Sequence, residues 1–334
     1  MKIAIIGDIH FGSHNDSIFF LNKTNDTLRL FLKHLRENDI HTIVQLGDFF
    51  DKRKYINFRT LHYSKWFLHE LEHFNTITLV GNHDCFYNNT LQINSLSLLL
   101  QNYNITVIDK FKTIIIDNKP FDFIPWINSE NREAIFKQIE NTKSDTLFAH
   151  LEIGMLTPEE KKSIGRYRVV YSGHHHNAYK TSVVNYIGNC LQLTWAEHGV
   201  DKAFYILNTE TNEAKRIDFF NPVYKLIDFD HQQNSFDFKH ESYKDKIVKV
   251  LYSEQSDKKH LEDFLSQLSK YAYDITLIDS SIITTKATQD NILYEKPNDD
   301  FLFEYTNQMV DDESDRAFVL DYVNRLHKMA LETA

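Results

Sequence analysis

The chain has 334 residues, of which 42% are hydrophobic and 25% are charged, an ordinary globular composition that supplies a large core and a smaller second unit. No stretch approaches the roughly 20 apolar residues that span a bilayer, which excludes a membrane-spanning protein. The formal net charge of −10 argues, taken alone, against a nucleic-acid ligand, because proteins that bind DNA phosphates usually present a basic surface.

The first half of the chain alternates short apolar runs with amphipathic stretches. Runs rich in Ile, Val and Leu predict buried strands at residues 2–7, 42–46 and 76–80. Helices are predicted between them at residues 17–37 and 58–73. Strand–helix–strand units of this kind give an α/β fold in which crossover helices connect parallel strands.

The middle of the chain predicts further strands and one helix. The strands lie at residues 105–108, 113–116, 122–126, 146–149 and 169–172. The helix covers residues 130–141. Residues 209–212 are predicted to form the turn of a hairpin between strands at 203–207 and 214–219, and the core domain is predicted to end near residue 221.

The last third predicts a separate unit. It contains a strand at 246–252, a helix at 257–270 and a strand at 274–278. Two helical segments follow at 301–310 and 313–331, and the second carries an apolar stripe. That stripe either packs on its own domain or lies in the groove of a partner.

Two features predict the compartment. The apolar run at residues 3–6 is short and soon followed by Asp8, so no signal peptide is predicted. Cys85 and Cys190 are the two cysteines, and neither has the spacing of a metal site, so both are predicted to be partly buried small residues. A reducing cytoplasm fits this cysteine usage, and we expect a soluble protein.

Polar and ionisable side chains follow five predicted strands, at the ends where open α/β sheets place their ligand sites. In chain order they are Asp8-Ile9-His10, Gly47-Asp48-Phe49-Phe50-Asp51, Gly81-Asn82-His83-Asp84, His150, and Gly173-His174-His175-His176. Each group alone has an ordinary structural explanation, such as a helix cap, a core histidine or a surface histidine tract. Because all five occur in order at strand ends, we expect carboxylate, imidazole and amide groups to converge at one edge.

These residue types suit hydrolysis of a phosphate ester with two divalent cations. Two cations about 3.5–4 Å apart neutralise the non-bridging oxygens, activate water and align it with the leaving oxygen. A carboxylate bridges two cations, and neutral imidazoles complete each shell without excess negative charge. Mixed oxygen and nitrogen ligands without thiolates favour manganese, iron or zinc over calcium.

This ordered set resembles the signature of the calcineurin-like metallophosphoesterase superfamily, and the resemblance spans roughly residues 1–220. Within that superfamily the chain most resembles the SbcD-type double-strand-break-repair nucleases, and more closely the recombination endonuclease subunits of T4-like bacteriophages. The segments that carry this closer resemblance are residues 45–51 with Arg53-Lys54, Ile124-Pro125-Trp126, Tyr186-Ile187-Gly188 and Asp315-Arg316. The resemblance implies a four-layer α/β sandwich core, a smaller α/β cap domain and C-terminal helices.

The resemblance also implies two divalent ions, with manganese (Mn²⁺) expected, and seven ligands. One ion would be held by Asp8, His10, Asp48 and His176, and the other by Asp48, Asn82, His150 and His174. His83 would stabilise the transition state or protonate the leaving oxygen, Asp84 would orient His83, and Asp51 would orient a ligand from behind. By strand alternation, His175 is predicted to point away from the ions.

For function, the resemblance implies a DNA nuclease, an exonuclease on duplex ends and an endonuclease on single strands, in recombination and double-strand-break processing. It implies a nuclease domain at residues 1–221, a DNA-binding cap domain at 222–297, and helices at 298–334 that bind an SbcC-type ABC ATPase with a long coiled coil. If a phage encodes the chain, it would act in the host cytoplasm.

Two surfaces are expected on the nuclease domain. The candidate DNA contacts are the basic residues after the second strand, Lys52, Arg53, Lys54 and Arg59, although a solvated face is the ordinary explanation of such a cluster. A homodimer is expected through helices of this domain. The apolar residues that either form that surface or belong to the core are Phe58, Leu61, Trp66 and Phe67.

Two other functions stay open from sequence. A protein phosphatase or small phosphodiesterase would use the same centre, but phosphatases of the superfamily carry Gly-Asp-x-Val-Asp-Arg-Gly and Gly-Asn-His-Glu. This chain instead has Phe50, Lys52 and Asp84 at the differing positions. A metal-free scaffold is the other alternative, and such chains usually lose several ligand positions, all of which are filled here.

Overall fold

The computed structural model describes residues 1–232 and 238–280, without the side chains of residues 231 and 232. The chain divides into two compact units. The first comprises Met1–Lys225 with Tyr243–Ile247, and the second comprises Leu226–Ser242 and the described residues from Val248 onward. The predicted helices at 301–310 and 313–331 lie outside the described residues, and the predicted domain boundaries stay predictions.

The first unit contains twelve strands in two sheets. In chain order they are β1 (Lys2–Ile6), β2 (Thr42–Gln45), β3 (Asn75–Leu79), β4 (Ile105–Ile108), β5 (Lys112–Ile116), β6 (Lys119–Ile124), β7 (Thr146–His150), β8 (Val169–Gly173), β9 (Tyr179–Lys180), β10 (Val184–Tyr186), β11 (Ala203–Asn208) and β12 (Ala214–Asp218). The first sheet has the order β12-β11-β1-β2-β3-β4, and the second has the order β5-β6-β7-β8-β10-β9.

Six helices accompany these sheets. They are α1 (Ser13–Asp16), α2 (Ile18–Glu37), α3 (Phe58–Leu71), α4 (Ser95–Leu99), α5 (Arg132–Asn141) and α6 (Pro158–Ile164), with 3₁₀ turns at Ile153–Met155 and Trp195–Glu197. Side-chain caps stabilise the starts of α3, α4 and α6. Asn57 accepts a hydrogen bond from the Arg59 amide before α3, and Thr157 forms a capping box with Glu160 before α6.

Side-chain alternation along the inner strands produces four layers. In β1, Ala4 and Ile6 belong to an apolar cluster with α2 and α3, whereas Ile3 and Ile5 pack with residues of the second sheet. A third cluster joins the second sheet to α5 and α6. The predicted α/β class and layered core are therefore confirmed.

The parallel strands predicted for the first half of the chain are confirmed, and both sheets also contain antiparallel strands. Strands β1 to β4 run parallel, but β11 and β12 add antiparallel strands at one edge. In the second sheet β6, β7, β8 and β10 run parallel between antiparallel edge strands β5 and β9. Helices α4 and α6, of five and seven residues, were not predicted because such short segments show no clear period.

The chain after residue 223 forms a three-stranded sheet of order β13-β14-β15. Its elements are β13 (Tyr224–Asp228), α7 (Phe229–Gln232), a 3₁₀ turn at His240–Tyr243, β14 (Ile247–Tyr252), α8 (Lys258–Leu268) and β15 (Asp274–Asp279). Helix α8 begins after Asp257, whose carboxylate accepts two backbone N–H groups. Strand β13 was not predicted, since charged residues interrupt its short apolar run. Among the described residues, no helix has the length and apolar character needed to cross a membrane.

Strand register sets the place of the polar segments. In the first sheet Ile6 pairs with Gln45, and Gln45 pairs with Thr78. In the second sheet His150 pairs with Gly173. The segments that follow β1, β2 and β3 therefore leave the first sheet side by side, as do the ends of β7 and β8 in the second.

Candidate metal centre

A first group of predicted ligands forms where β1 and β8 end. The ligand atoms of Asp8, His10 and His176 all lie within 4.8 Å of one another. The Nε2 atoms of His10 and His176 are 3.1 Å apart. Two ligands that each lie about 2.1 Å from one ion are about 3.0–3.4 Å apart, so this group has the spacing of a metal shell.

A second group forms where β2, β3, β7 and β8 end. The ligand atoms of Asp48, His150 and His174 also lie within 4.8 Å of one another. Asn82 joins them, because its Oδ1 lies 2.9 Å from His150 Nε2 and 3.0 Å from His174 Nδ1. The structure thus brings all seven predicted ligands into two adjacent groups.

Asp48 lies between the two groups. Its Oδ2 is 3.4 Å from His150 Nε2 in the second group and 3.8 Å from His10 Nε2 in the first. Its Oδ1 accepts a hydrogen bond from the His83 amide at 2.8 Å. Burial raises the pKa of Asp48, but the charge and hydrogen bond of His150 outweigh burial and lower it overall. This carboxylate is therefore ionised and has the position of a bridge.

In each group, one histidine has an oxygen atom close to its second ring nitrogen. Asp51 Oδ1 lies 3.4 Å from His10 Nδ1, which agrees with the orienting role predicted for Asp51. The carbonyl oxygen of Leu46 lies 2.7 Å from His150 Nδ1. Metal-binding histidines usually donate their second ring N–H to such an oxygen, which fixes the tautomer and the ring orientation.

Glu152 is a carboxylate near the centre that the sequence analysis missed. Its Oε2 lies 3.5 Å from His174 Nε2 and 2.7 Å from His175 Nε2. The His175 ring also packs edge-on against Tyr186, with the ring centroids 4.5 Å apart. His175 therefore faces Glu152 and Tyr186, outside the two ligand groups. The one sequence signal for Glu152 is that it follows His150 by two residues.

Glycines at the start of two motifs are required by close packing. A Cβ atom on Gly81 would lie 2.2 Å from Asp48 Oδ1, and one on Gly47 would lie 2.5 Å from His150 Nδ1. Gly47 also has a φ of +98°, which side chains with a Cβ rarely adopt. Any larger residue at either position would displace a ligand.

Comparison with known proteins identifies the family that this centre represents. A family model described as calcineurin-like phosphoesterase matches residues 1–178, which is more than half of the chain and contains both ligand groups. The chain belongs to the calcineurin-like phosphoesterase family. Members of this family use divalent metals, and the two His and Asp groups of this phosphoesterase are suited to hold them.

Individual relatives were also found. Exonuclease subunit 1 of Enterobacteria phage T4 is 27% identical over 344 residues, an alignment that covers 99% of this phosphoesterase and 100% of the phage protein. An archaeal phosphodiesterase of solved structure is 18% identical, with 65% of this chain and 99% of that chain covered, at a TM-score of 0.36. A protein of unknown function from Aquifex aeolicus is 18% identical, with 48% of this chain and 86% of that chain covered, at a TM-score of 0.30.

The contacts of His83 and Asp84 differ from the predicted arrangement, in which Asp84 orients His83. The Asp84 carboxylate instead accepts backbone N–H groups, from Phe49 at 3.1 Å, Phe50 at 3.2 Å and Gly81 at 2.9 Å. His83 Nδ1 lies 2.6 Å from the Asp51 carbonyl oxygen. Asp84 therefore links its own segment to the segment that follows β2 by hydrogen bonds, and the Asp51 carbonyl group orients His83.

Replacing Asp84 by Asn is expected to destabilise the metal-free phosphoesterase by about 2–4 kcal/mol, because an amide NH₂ would face backbone donors left without an acceptor. Chemical denaturation of the metal-free protein measures the change. Asp109→Asn, at an exposed position just after β4, is the matched control and should leave the unfolding midpoint unchanged. An equally stable Asp84 variant would show that the carboxylate does not fasten these segments.

The buried histidines predict proton release when a metal binds. Burial lowers the pKa of His10, but the Asp51 contact and the charge of Asp48 outweigh burial and raise it to about 9. Burial likewise lowers the pKa of His150, but the charge and contact of Asp48 raise it to about 9. Both rings are therefore protonated at pH 7 in the metal-free protein, and a bound cation must replace those protons.

Manganese binding at pH 7 is accordingly expected to release about two protons, and the affinity should rise with pH until about pH 9. Isothermal titration calorimetry at pH 7, in two buffers of different ionisation enthalpy, measures the number released. Repeating the titration at pH 9.5 is the control, since both rings are then largely neutral. Equal heats in both buffers at pH 7 would contradict this expectation.

The predicted DNA contacts differ in their availability. Lys52 Nζ lies 2.8 Å from Asp16 Oδ2, and the lysine side chain is 20% exposed, so an internal ion pair already neutralises its charge. Arg59 Nη1 lies 3.4 Å from the Asp16 carbonyl oxygen and leaves its side chain exposed. Arg53 is half-buried and Lys54 is exposed. Arg53, Lys54 and Arg59 therefore stay proposed DNA contacts, whereas the Lys52 charge is paired with Asp16 inside the protein.

Proposed function

We propose that this phosphoesterase is a two-metal DNA nuclease that hydrolyses phosphodiester bonds, as an exonuclease on duplex ends and an endonuclease on single strands. The observation that carries the two-metal chemistry is the position of Asp48, with one oxygen 3.4 Å and 3.8 Å from histidines of the two groups. The near full-length similarity to a protein named exonuclease subunit 1 supports DNA as the substrate.

The proposed ligands are those that the two groups contain. Asp8, His10, Asp48 and His176 would hold one cation, and Asp48, Asn82, His150 and His174 the other. When bound, the cations would neutralise the non-bridging oxygens of the phosphodiester and lower the pKa of the attacking water. Manganese is proposed because the donors are oxygen and nitrogen.

The cysteines supply no further donor to this centre. Cys85 Sγ donates to the Gly81 carbonyl oxygen at 3.0 Å, and burial raises the pKa of both cysteine thiols, that of Cys190 to about 12. Both thiols therefore stay protonated at neutral pH, and a protonated thiol is a poor metal ligand. A centre without thiolates agrees with the proposed manganese.

The chain's own residues would carry the remaining steps. Asp48 is held by the His83 amide, so its carboxylate keeps one orientation between the groups. The neutral tautomer of His83 donates Nδ1–H to the Asp51 carbonyl, which leaves Nε2 for the substrate. When the imidazole is doubly protonated, Nε2–H would transfer its proton to the leaving oxygen. Asp51 and Asp84 would act as positioning residues through His10 and the backbone.

Substrate comparison tests this proposal. Linear duplex DNA, single-stranded circular DNA, bis-p-nitrophenyl phosphate and a phosphopeptide are incubated with the full chain, with and without manganese. We expect manganese-dependent cleavage of both DNAs and of the diester, and no release of phosphate from the peptide. Hydrolysis of the phosphopeptide with intact DNA would instead support a protein phosphatase. Absence of manganese binding would support a metal-free scaffold.

A role in recombination and double-strand-break processing within a nuclease–ATPase complex is proposed from the same similarity, since the phage relative is named as a subunit. In this proposal residues 222–297 form a DNA-binding cap, and residues 298–334 bind an SbcC-type ABC ATPase with a coiled coil. Co-purification of the full chain with such an ATPase, compared with a chain ending at residue 297, tests the assignment. Equal recovery of both would contradict it.

A homodimer through the nuclease domain is also proposed, although the structure narrows its surface. Phe67 is buried in the core, Leu61 is partly buried, and Trp66 stacks under Arg29 at 4.4 Å. Phe58, in contrast, is 89% exposed and is the member of the predicted set with a large free face. Light scattering should give a dimer mass that Phe58→Asp reduces to that of a monomer.

A further inference from the structure

Glu197 is a buried acid beside the first ligand group, outside every motif of the sequence. It ends the 3₁₀ turn Trp195–Glu197 and lies beyond the matched residues 1–178. Its residue exposure is 2%. One carboxylate oxygen, Oε1, lies 3.2 Å from His176 Nδ1. The acid therefore stands behind a proposed ligand, on the side of the ring opposite to His10.

Several donors fix the carboxylate in that place. Lys202 Nζ lies 2.6 Å from Oε2, and Asn189 Nδ2 donates to the same oxygen at 3.1 Å. The Leu193 amide also donates to Oε2 at 3.3 Å, and the Thr194 hydroxyl donates to Oε1 at 3.3 Å. Burying a carboxylate is costly unless it is paired and hydrogen-bonded, and here both oxygens have partners.

Lys202 holds the same histidine by a second route. This lysine is itself buried, and its Nζ donates to the His176 carbonyl oxygen at 2.9 Å. The Lys202–Glu197 pair thus contacts His176 at its backbone through the lysine and at its ring through the glutamate. The ring and its peptide are both restrained by one ion pair.

The contact with Glu197 selects the tautomer of His176. A carboxylate accepts the proton of Nδ1, so the neutral ring carries its lone pair on Nε2. Nε2 is the atom that lies 3.1 Å from His10 Nε2, inside the first ligand group. Without the acceptor, the ring would be free to rotate or to place its proton on Nε2, and either change removes the ligand.

We propose that Glu197 is a positioning residue that keeps His176 Nε2 aimed at the first cation, and that Lys202 holds Glu197 in place. The inference rests on the two-cation centre of the proposed function but not on DNA as its substrate. Because His176 belongs to the first group, loss of Glu197 should weaken the binding of one cation and leave the binding of the other unchanged. Loss of an acceptor behind a histidine ligand typically lowers metal affinity about 10–100-fold.

The test is a manganese titration of the full chain, followed by the electron paramagnetic resonance signal of free manganese. The wild type should bind two equivalents. Glu197→Gln should bind one equivalent with unchanged affinity and the other about 10–100-fold more weakly. Asp122→Asn is the matched control, since Asp122 is an equally buried acid that contacts Thr113 and Tyr167. It should leave both affinities unchanged.

A second variant separates positioning from folding. In Glu197→Met with Lys202→Met the ring loses its acceptor and no buried charge is left unpaired, so a chain that unfolds as the single variant should fold as the double. The double variant should show the same selective loss of one cation, and nitrogen NMR of the metal-free protein should show His176 leaving the Nδ1–H tautomer.

Two results would overturn the inference. One is a folded variant with both affinities unchanged, and the other is an equal loss at both sites, as general loosening would cause. The proposed function fails separately, when the wild type binds two manganese ions and leaves DNA intact.

Discussion

Replacing Asp48 by Asn is expected to lower manganese-dependent DNA cleavage by on the order of 10³-fold or more. In the variant, the charged oxygen that faces both groups becomes the neutral oxygen of an amide, which is a much weaker ligand for two cations. Asn would also leave His10 and His150 without the anion that lies 3.8 Å and 3.4 Å from them. Both cations should therefore bind more weakly.

Two measurements together check this result. Cleavage of linear duplex DNA gives the rate, and metal analysis after gel filtration gives the number of bound manganese ions. Asp39→Asn is the matched control, because the Asp39 side chain is 92% exposed and pairs with the exposed His41. An Asp48→Asn protein that retains both ions and cleaves DNA at the wild-type rate would contradict the assignment of Asp48 as the bridging ligand.

Replacing His83 by Gln is expected to lower the turnover number on DNA about 10²–10⁴-fold while both cations stay bound. The ring is held by the Asp51 carbonyl and lies edge-on to His10 with 4.9 Å between the ring centroids. It is therefore beside the first ligand group without belonging to the proposed ligands. This variant should therefore lose turnover while its metal content stays unchanged, whereas Asp48→Asn should lose both.

The leaving group distinguishes the two roles proposed for His83. A DNA alkoxide needs a proton to depart, whereas p-nitrophenolate is a stable anion that departs without one. If His83 is the acid, His83→Gln should slow bis-p-nitrophenyl phosphate much less than DNA. An equal loss on both substrates would assign His83 to charge stabilisation instead. His73→Gln, at an exposed position after α3, is the control for the substitution itself.

Much of the centre follows from sequence because its ligands directly follow buried strands. Parallel neighbours end at the same edge, so the motifs after β1, β2 and β3 must meet there, and the convergence of Asp8, Asp48 and Asn82 was predicted on that basis. Their assignment as metal ligands came from the family resemblance. The apolar runs likewise predicted most strands within two residues. These inferences need only local pattern and the geometry of a sheet.

The supporting residues could not be predicted in the same way. Glu152 and Glu197 act across loops whose paths depend on how the segments after β7 and β10 pack, and neither stands in a periodic pattern. The Lys52–Asp16 ion pair joins residues 36 positions apart, so the basic run looked more available than it is. For Asp84, the motif indicated a site but not that its partners would be backbone amides.

Each ligand group takes donors from both sheets. Asp8, His10, Asp48 and Asn82 follow strands of the first sheet, whereas His150, His174 and His176 end or follow strands of the second. Cations bound there would link the two sheets of the sandwich at one edge. The free energy of metal binding would therefore also stabilise the packing of one sheet on the other. A chelator would then do more than stop hydrolysis, because it would also weaken the packing of the two sheets at that edge.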